Sequence, residues 1–346
     1  EWERPVSMEM LNFPGQEAFQ LNAGVRIFGG VSRQLDRTPK KSFRLQFKSI
    51  YGPAKLEFPF FEDSSVTQFD RLMLRGGYNY KWTHANSTQQ YRAQYMRDQF
   101  SRDSQLAMGQ PSSHGRYVHL YLNGMYWGMY NAVERPDESF AESYLGGDKE
   151  NYDVIQHGEP PEAINGDRIA WDAMFAIAKD RQRTADQKYI DLQEYLDIDN
   201  LIDYMIMIHY TGNVDAPVLI GSTTAPRNFY AIRPRTEEGR YKFFLWDSEH
   251  SLSEISVDRT ELGVGNADYT PARLYGELRL SAEFCLRFAD RIHRHFFNHG
   301  ALTVQSSVDR YLAIATEIDR AIVGESARWG DVRRSARPYT RDAEWV

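Results

Sequence analysis

An Asn-Gly pair, Asn123-Gly124, stands between two apolar, aromatic-rich runs, residues 117–122 and 126–133. A two-residue hairpin turn needs positive φ at both central positions, which Asn and Gly tolerate best, so the pair predicts an antiparallel hairpin. Any fold of this chain has to be built around that hairpin. Other strand signals lie nearby. Gly24-Val25-Arg26-Ile27-Phe28 runs into the turn signal Gly29-Gly30. Phe43, Leu45 and Phe47 alternate with Ser42, Arg44 and Gln46, the period of a half-buried strand, and residues 70–74 add a short candidate. Residues 91–106 have helical spacing instead, with Tyr91, Tyr95 and Gln99, and Asp98 and Arg102, four apart.

The character changes after Glu134-Arg135-Pro136. Gly146-Gly147, Gly158 and Pro160-Pro161 mark loops. Helices are predicted over 167–179, with Trp171, Phe175 and Ala178 on one face, and over 199–210, with Asp199 as N-cap and Gly212 as the stop. A second hairpin pairs 228–233 with 241–246 across Thr236-Glu237-Glu238-Gly239, and helices near 283–297 and 306–323 follow. Strands first and helices later predict an α+β protein of two lobes, a strand-rich N-lobe over 1–135 and a helical C-lobe over 136–346.

Composition narrows the function. Aromatic residues make up 14% of 346 residues, a load that a disordered chain does not carry. The net charge of −7 argues against a nucleic-acid-binding surface, although a nucleotide needs only a few local cations. A single cysteine, Cys285, excludes an intrachain disulfide, a cysteine zinc site and an iron–sulfur cluster. The most apolar window, residues 201–210, is about half of a ~20-residue span and contains Asp203, so it predicts a buried helix and no membrane span. The chain opens Glu1-Trp2-Glu3, without Met, and is expected to be a processed chain or part of a larger polypeptide.

The chemistry is concentrated in Asn213-Val214-Asp215, Arg227-Asn228-Phe229-Tyr230 and Trp246-Asp247-Ser248-Glu249. A turn centred between Glu237 and Glu238 sets Asn228 opposite Asp247 at the open end of the second hairpin. An amide oxygen beside one or two carboxylates suits Mg²⁺ or Mn²⁺, which take oxygen ligands and complete their shell with phosphate and water. Asp215, on the loop leaving the buried helix, could orient an attacking hydroxyl or accept its proton. Asp, Asn, hairpin, Asp is also the order of catalytic groups in protein kinases, although 13 residues separate Asp215 from Asn228. The competing reading makes all three turn and cap residues.

These segments, taken in order, resemble the CotH kinase family of atypical, secretory-type protein kinases. The resemblance rests on residues 24–33 (GVRIFGGVSR), Lys40-Lys41-Ser42-Phe43-Arg44, residues 121–130 (YLNGMYWGMY), Glu134, the three catalytic segments, and Ala327-Arg328-Trp329. It implies that Gly29, Gly30 and Ser32, with Arg33 and Arg44, serve the nucleotide, and that Lys40 or Lys41 grips phosphate. It implies that Glu134 lies where the chain crosses between lobes beside adenine. Asp215 would be the catalytic aspartate, and Asn228, Asp247 and Glu249 the metal ligands. Phe28 and Val31 depart from the usual Arg and polar residue of the glycine turn, and Glu249 replaces a common second Asp. The implied reaction is transfer of the γ-phosphate of Mg·ATP to a protein Ser or Thr hydroxyl, with the nucleotide in the cleft between the lobes. AMP transfer in the same cleft, or a silent kinase-like binding module of a secreted or cell-surface assembly, are the rivals. The family also implies an extracellular or cell-surface place in a bacterium, and one cysteine suits that or the cytoplasm.

Other residues invite weaker readings. His293, His295 and His299 fit a solvated helix surface better than a metal cluster. His209, in an apolar run, reads as a core histidine. Arg97-Asp98 reads equally as a surface pair or as support for the lysine and phosphates in the first lobe. Arg328, Arg333, Arg334, Arg337 and Arg341 read as a solvated basic terminus, and Trp82, Trp127 and Trp329 as core.

Overall fold

A computed structural model describes residues 2–11, 15–158, 160–216, 228–260 and 268–345. The chain forms a mixed α and β structure in two units. Unit 1 comprises Glu1–Tyr95, Ser113–Arg135 and Ala315–Val346, and unit 2 comprises Met96–Ser112 and Pro136–Ile314. The division expected at 135/136 is thus one of several points where the chain changes unit.

In chain order, unit 1 contains β1 (Arg4–Met10), β2 (Phe19–Phe28), β3 (Ser42–Gln46), β4 (Leu56–Glu57), β5 (Gln68–Phe69), β6 (Arg71–Arg75) and the short helix α1 (Ser87–Tyr91). Helix α2 (Arg97–Ala107) belongs to unit 2, and β7 (Gly115–Leu122) and β8 (Met125–Val133) return to unit 1. The expected helix over 91–106 is therefore broken. Helix α1 ends at Tyr91, and Tyr95 adopts φ 70, a left-handed conformation, shortly before α2 begins. Asn123 and Gly124 have φ 50 and 78, the two positive values the turn requires, and β7 pairs with β8 through it. The strands form an antiparallel sheet in the order β1-β2-β3-β6-β8-β7. One face buries Leu45, Leu72, Leu74, Tyr130 and Ala132 against Phe58, Phe60 and Phe61.

Unit 2 continues with α3 (Glu138–Leu145), β9 (Tyr152–Gln156), β10 (Glu162–Asn165), α4 (Ile169–Lys179), α5 (Ala185–Leu192), α6 (Ile198–Thr211), β11 (Phe229–Pro234), β12 (Lys242–Leu245), α7 (Pro271–Leu278) and α8 (Ala282–Phe296). The unit boundary falls within the last helix, α9 (Val304–Trp329). A separate antiparallel sheet, β10-β9-β11-β12, packs Phe229, Ala231, Phe243 and Leu245 against Trp171, Phe175, Leu201, Tyr204 and Met205 of α4 and α6. Among the described residues, no helix is long and apolar enough to cross a membrane.

Two details differ from the sequence reading. Asp197, not Asp199, caps α6, accepting the Asn200 N–H at 2.9 Å, while Asp199 takes Arg287 at 2.6 Å. The second hairpin is shifted by one: Phe229 faces Leu245, and Ile232 faces Lys242. Continued outward, this register sets Asn228 opposite Trp246 and leaves Asp247 one residue further on. Just before β12, Tyr241 turns outward: its N–H donates to the Tyr195 carbonyl and its carbonyl accepts the Asp197 N–H.

Candidate functional site

Unit 2 brings the segments around Asp215, Asn228 and Asp247 together through its backbone. Gly212 ends α6 at φ 58, and the Asn213 N–H reaches back to the Ile208 carbonyl, a glycine-stopped helix end. Asn213 is buried, and its side chain accepts the Asp215 N–H at 3.1 Å. The Val214 N–H donates to the His250 carbonyl at 3.1 Å and the Leu252 N–H to the Thr211 carbonyl at 2.7 Å. These bonds tie the loop after α6 to the turn after β12.

Asn228, just before β11, has φ 61, and Asp247, just after β12, has φ 57. Two non-glycine residues in left-handed backbone at one end of a hairpin mark strain held in place by the surroundings. The holding bonds are visible at Asn228. Its Nδ2 donates to the Asp215 carbonyl and to the Asp215 carboxylate, both at 2.9 Å. Asp247 is followed by a 3₁₀ turn, residues 248–250, in which Ser248 and Glu249 are buried. His250 completes the group. Burial holds its imidazole below the ordinary range and Arg97 pushes the same way, while Asp215 and Asp247 pull it up. Arg259 is buried, which lowers its pKa, and Asp215 opposes that shift.

The structure thus joins Asp215 to Asn228 by direct hydrogen bonds and places Asp215 and Asp247 around one histidine. Arg227 lies outside the described residues. Among the described residues, no three His, Cys, Asp or Glu side chains converge as a ready cation cage. The Asn228 amide commits its NH₂ group to Asp215, which leaves its oxygen as an acceptor. An amide oxygen and carboxylates are the donor types that a hard cation takes.

The residues expected to serve a nucleotide lie in unit 1. Gly29 has φ 124, and a Cβ there would meet Ser32 Oγ at 2.3 Å, so the turn demands glycine. The Arg33 N–H closes the turn on the Gly30 carbonyl at 3.2 Å. Arg44 lies over the Phe28 ring, 5.0 Å from its centre. The two lysines face different partners. Lys41 donates to the carbonyls of Ser32, Gln34 and Thr38 at 3.0, 2.7 and 2.6 Å, which uses all three ammonium hydrogens to shape the loop after the glycine turn. Lys40 is wholly buried and donates to Glu325 and to the Met129 carbonyl, each at 2.6 Å. Glu134 is buried and accepts from the His114 backbone N–H at 3.1 Å, with the His114 ring at 2.8 Å.

Several side readings change. His295 is not solvated: it is buried, 3.0 Å from the fully buried Asp203, which also takes Arg291 and Gln110. The basic terminus is not free either. Arg333 donates to the Thr83, Asp36 and Arg37 carbonyls, Arg341 pairs with Asp319, and Arg334 with Glu344. His209 donates its Nδ1–H to the Arg259 carbonyl, 2.8 Å away, as a core histidine would. Trp82 and Trp329 are buried as expected. The roles of His250 and Glu325 escaped the sequence reading. Arg97 and Asp98, read as a surface pair or as support in the first lobe, are both buried and belong to unit 2.

Comparison with known proteins supplies one family. The sequence profile described as CotH kinase protein matches residues 25–343. No curated protein matches the chain. Among solved structures, a chain of the Shewanella oneidensis MR-1 toxin–antitoxin complex of HipA, HipB and operator DNA is similar at 11% identity and TM-score 0.26, over 81% of this chain and 65% of that one.

Proposed function

The chain belongs to the CotH kinase family, and from that premise we propose that it transfers the γ-phosphoryl group of ATP to a Ser or Thr hydroxyl of a protein. The observation that carries this reading is the pair of hydrogen bonds from Asn228 to Asp215. They fix a carboxylate beside the Asn228 amide at the open end of a hairpin whose other strand leads on to Asp247. On this reading Asp215 orients the acceptor hydroxyl. The hydroxyl oxygen bonds to the γ-phosphorus, the bond to the bridging oxygen of ADP breaks, and the hydroxyl proton passes to the Asp215 carboxylate. Asn228, Asp247 and Glu249 would hold a divalent ion, which neutralises charge on the phosphoryl oxygens. Most of the rate would come from positioning and electrostatics. The strand-rich and helix-rich units would be the N- and C-lobes of a kinase-like protein.

A second reading has its own observation. Lys40 and Lys41, the two candidates for gripping phosphate, are both engaged by acceptors of the protein itself. That favours a binding module that keeps the family's frame without its catalysis. Incubation with γ-labelled and with α-labelled ATP and a protein acceptor separates the readings. Label passing from γ-labelled ATP alone supports the kinase, label from α-labelled ATP makes it an AMP transferase, and no transfer from either favours the silent module.

A further inference from the structure

Helix α2 runs beside β12, the edge strand of the second sheet. Its Gln105 satisfies that edge, accepting the Leu245 N–H at 3.1 Å and donating to the Phe243 carbonyl at 3.0 Å. Seven residues earlier, two helical turns away and on the same face, is Asp98. Its Oδ1 accepts the Ser248 backbone N–H at 2.8 Å. Asp98 is buried, and Arg102, one turn on and fully buried, lies 3.4 Å from its other oxygen. One helix face therefore follows the strand at 243 and 245 and then grips the chain just beyond it.

The gripped amide belongs to the peptide joining Asp247 to Ser248. Asp247 has φ 57 and ψ 41, a left-handed backbone that few residues other than Gly, Asn and Asp adopt and that local bonds must hold. We infer that Asp98 is a positioning residue: by holding the Ser248 N–H it fixes the backbone at Asp247, and with it the direction of the Asp247 side chain. The consequence for metal and nucleotide rests on the function proposed above, whereas the pinning of Ser248 does not. A charge-assisted hydrogen bond from a buried carboxylate is well suited to this task, because losing it leaves a buried N–H without a partner.

Two substitutions separate the hydrogen bond from the charge. Asp98→Asn keeps an oxygen that accepts the Ser248 N–H, and Asp98→Ala removes it. The first measurement is hydrogen exchange at the Ser248 amide, which needs neither metal nor nucleotide. Exchange should be at least about tenfold faster in Asp98→Ala and close to wild type in Asp98→Asn. The second is Mn²⁺ titration at fixed ATP, followed by calorimetry. Asp98→Ala should need roughly tenfold more Mn²⁺ or more, and Asp98→Asn should stay near wild type. A folded Asp98→Ala protein with a protected Ser248 amide, or with unchanged Mn²⁺ dependence, overturns the inference. If Asp98→Ala fails to fold, Asp98→Asn decides: near-wild-type behaviour supports the inference, and a tenfold loss overturns it, because the acceptor is still present. If wild type and Asp247→Asn both ignore Mn·ATP, the functional reading falls by itself. The Ser248 exchange rates then decide the pinning alone, release in Asp98→Ala supporting it and continued protection overturning it.

Discussion

Replacing Lys40 with methionine should destabilise unit 1 strongly. Strand β6 ends at Arg75 opposite Asn131, so β8 continues without that neighbour. Met129 lies on the continuing stretch. Its N–H donates to Glu325 Oε2 at 2.8 Å, and its carbonyl accepts from Lys40 Nζ at 2.6 Å. The ion pair thus acts as one residue of a missing strand. Gly128 lets the helix approach, since a Cβ there would lie 2.7 Å from Glu325 Oε2 and from Trp329 Nε1. Burial lowers the Lys40 pKa and Glu325 pulls it back up. Removing one partner leaves the Glu325 carboxylate buried and uncompensated, which costs about 3–5 kcal/mol. In a unit of this size that is a fall in Tm of roughly 6–20 °C. The assay is urea and thermal unfolding of wild type, Lys40→Met, Glu325→Leu and the double variant. The double variant should be better than the sum of the singles by about 2–3 kcal/mol, because it leaves no lone buried charge. A Lys40→Met protein within about 1 kcal/mol of wild type, or strict additivity, would refute the structural role. A normally stable Lys40→Met protein that no longer binds ATP would return Lys40 to the phosphate.

Two other substitutions test local claims. Glu3 takes Arg26 at 2.5 Å, Lys48 at 2.9 Å and Tyr51 at 2.8 Å; burial raises its pKa, but the bonds from Lys48, Tyr51 and Arg26 prevail and hold it at about 2. A depressed carboxyl stabilises the fold above its ordinary value of 4.5 and loses that contribution as pH falls toward 2, so Glu3→Gln should flatten the fall of Tm over that range, and equal slopes would contradict it. Asn228→Ala loses two hydrogen bonds and keeps the left-handed backbone, whereas Asn228→Gly relaxes the backbone; the glycine variant should be more stable by about 1 kcal/mol in chemical denaturation, and equal stabilities would deny the strain.

Local chemistry made much of the fold legible. Asn123-Gly124 has few alternatives to a tight hairpin turn, and Gly212 ends α6 because it can turn left-handed. The face Trp171, Phe175 and Ala178 is buried, as its spacing implies. What the sequence hid was long-range pairing. Tyr241 bonds to Tyr195 and Asp197, a partnership no local pattern reveals, and the hairpin register differs by one residue from that of a turn centred between Glu237 and Glu238. Lys40 reads as a candidate ligand for phosphate until Glu325, far along the chain, is brought beside it. His295 reads as a surface residue until α8 packs it on Asp203. At the candidate site the sequence offers carboxylates and an amide, donor types that suit a hard cation. Their arrangement was not legible, since Asn228 bonds to Asp215 through side chain and backbone geometry.

The central claim is that Asp215 serves the acceptor hydroxyl and Asp247 the metal-bound nucleotide. Its most direct test is single-turnover transfer from γ-labelled ATP by Asp215→Asn at saturating Mg·ATP, with binding measured on the same protein. The account predicts that transfer falls by about 10²-fold or more while Mg·ATP binding stays close to wild type. Full transfer by Asp215→Asn, or loss of its Mg·ATP binding, would contradict the account, the first removing Asp215 from the reaction and the second making it a metal ligand.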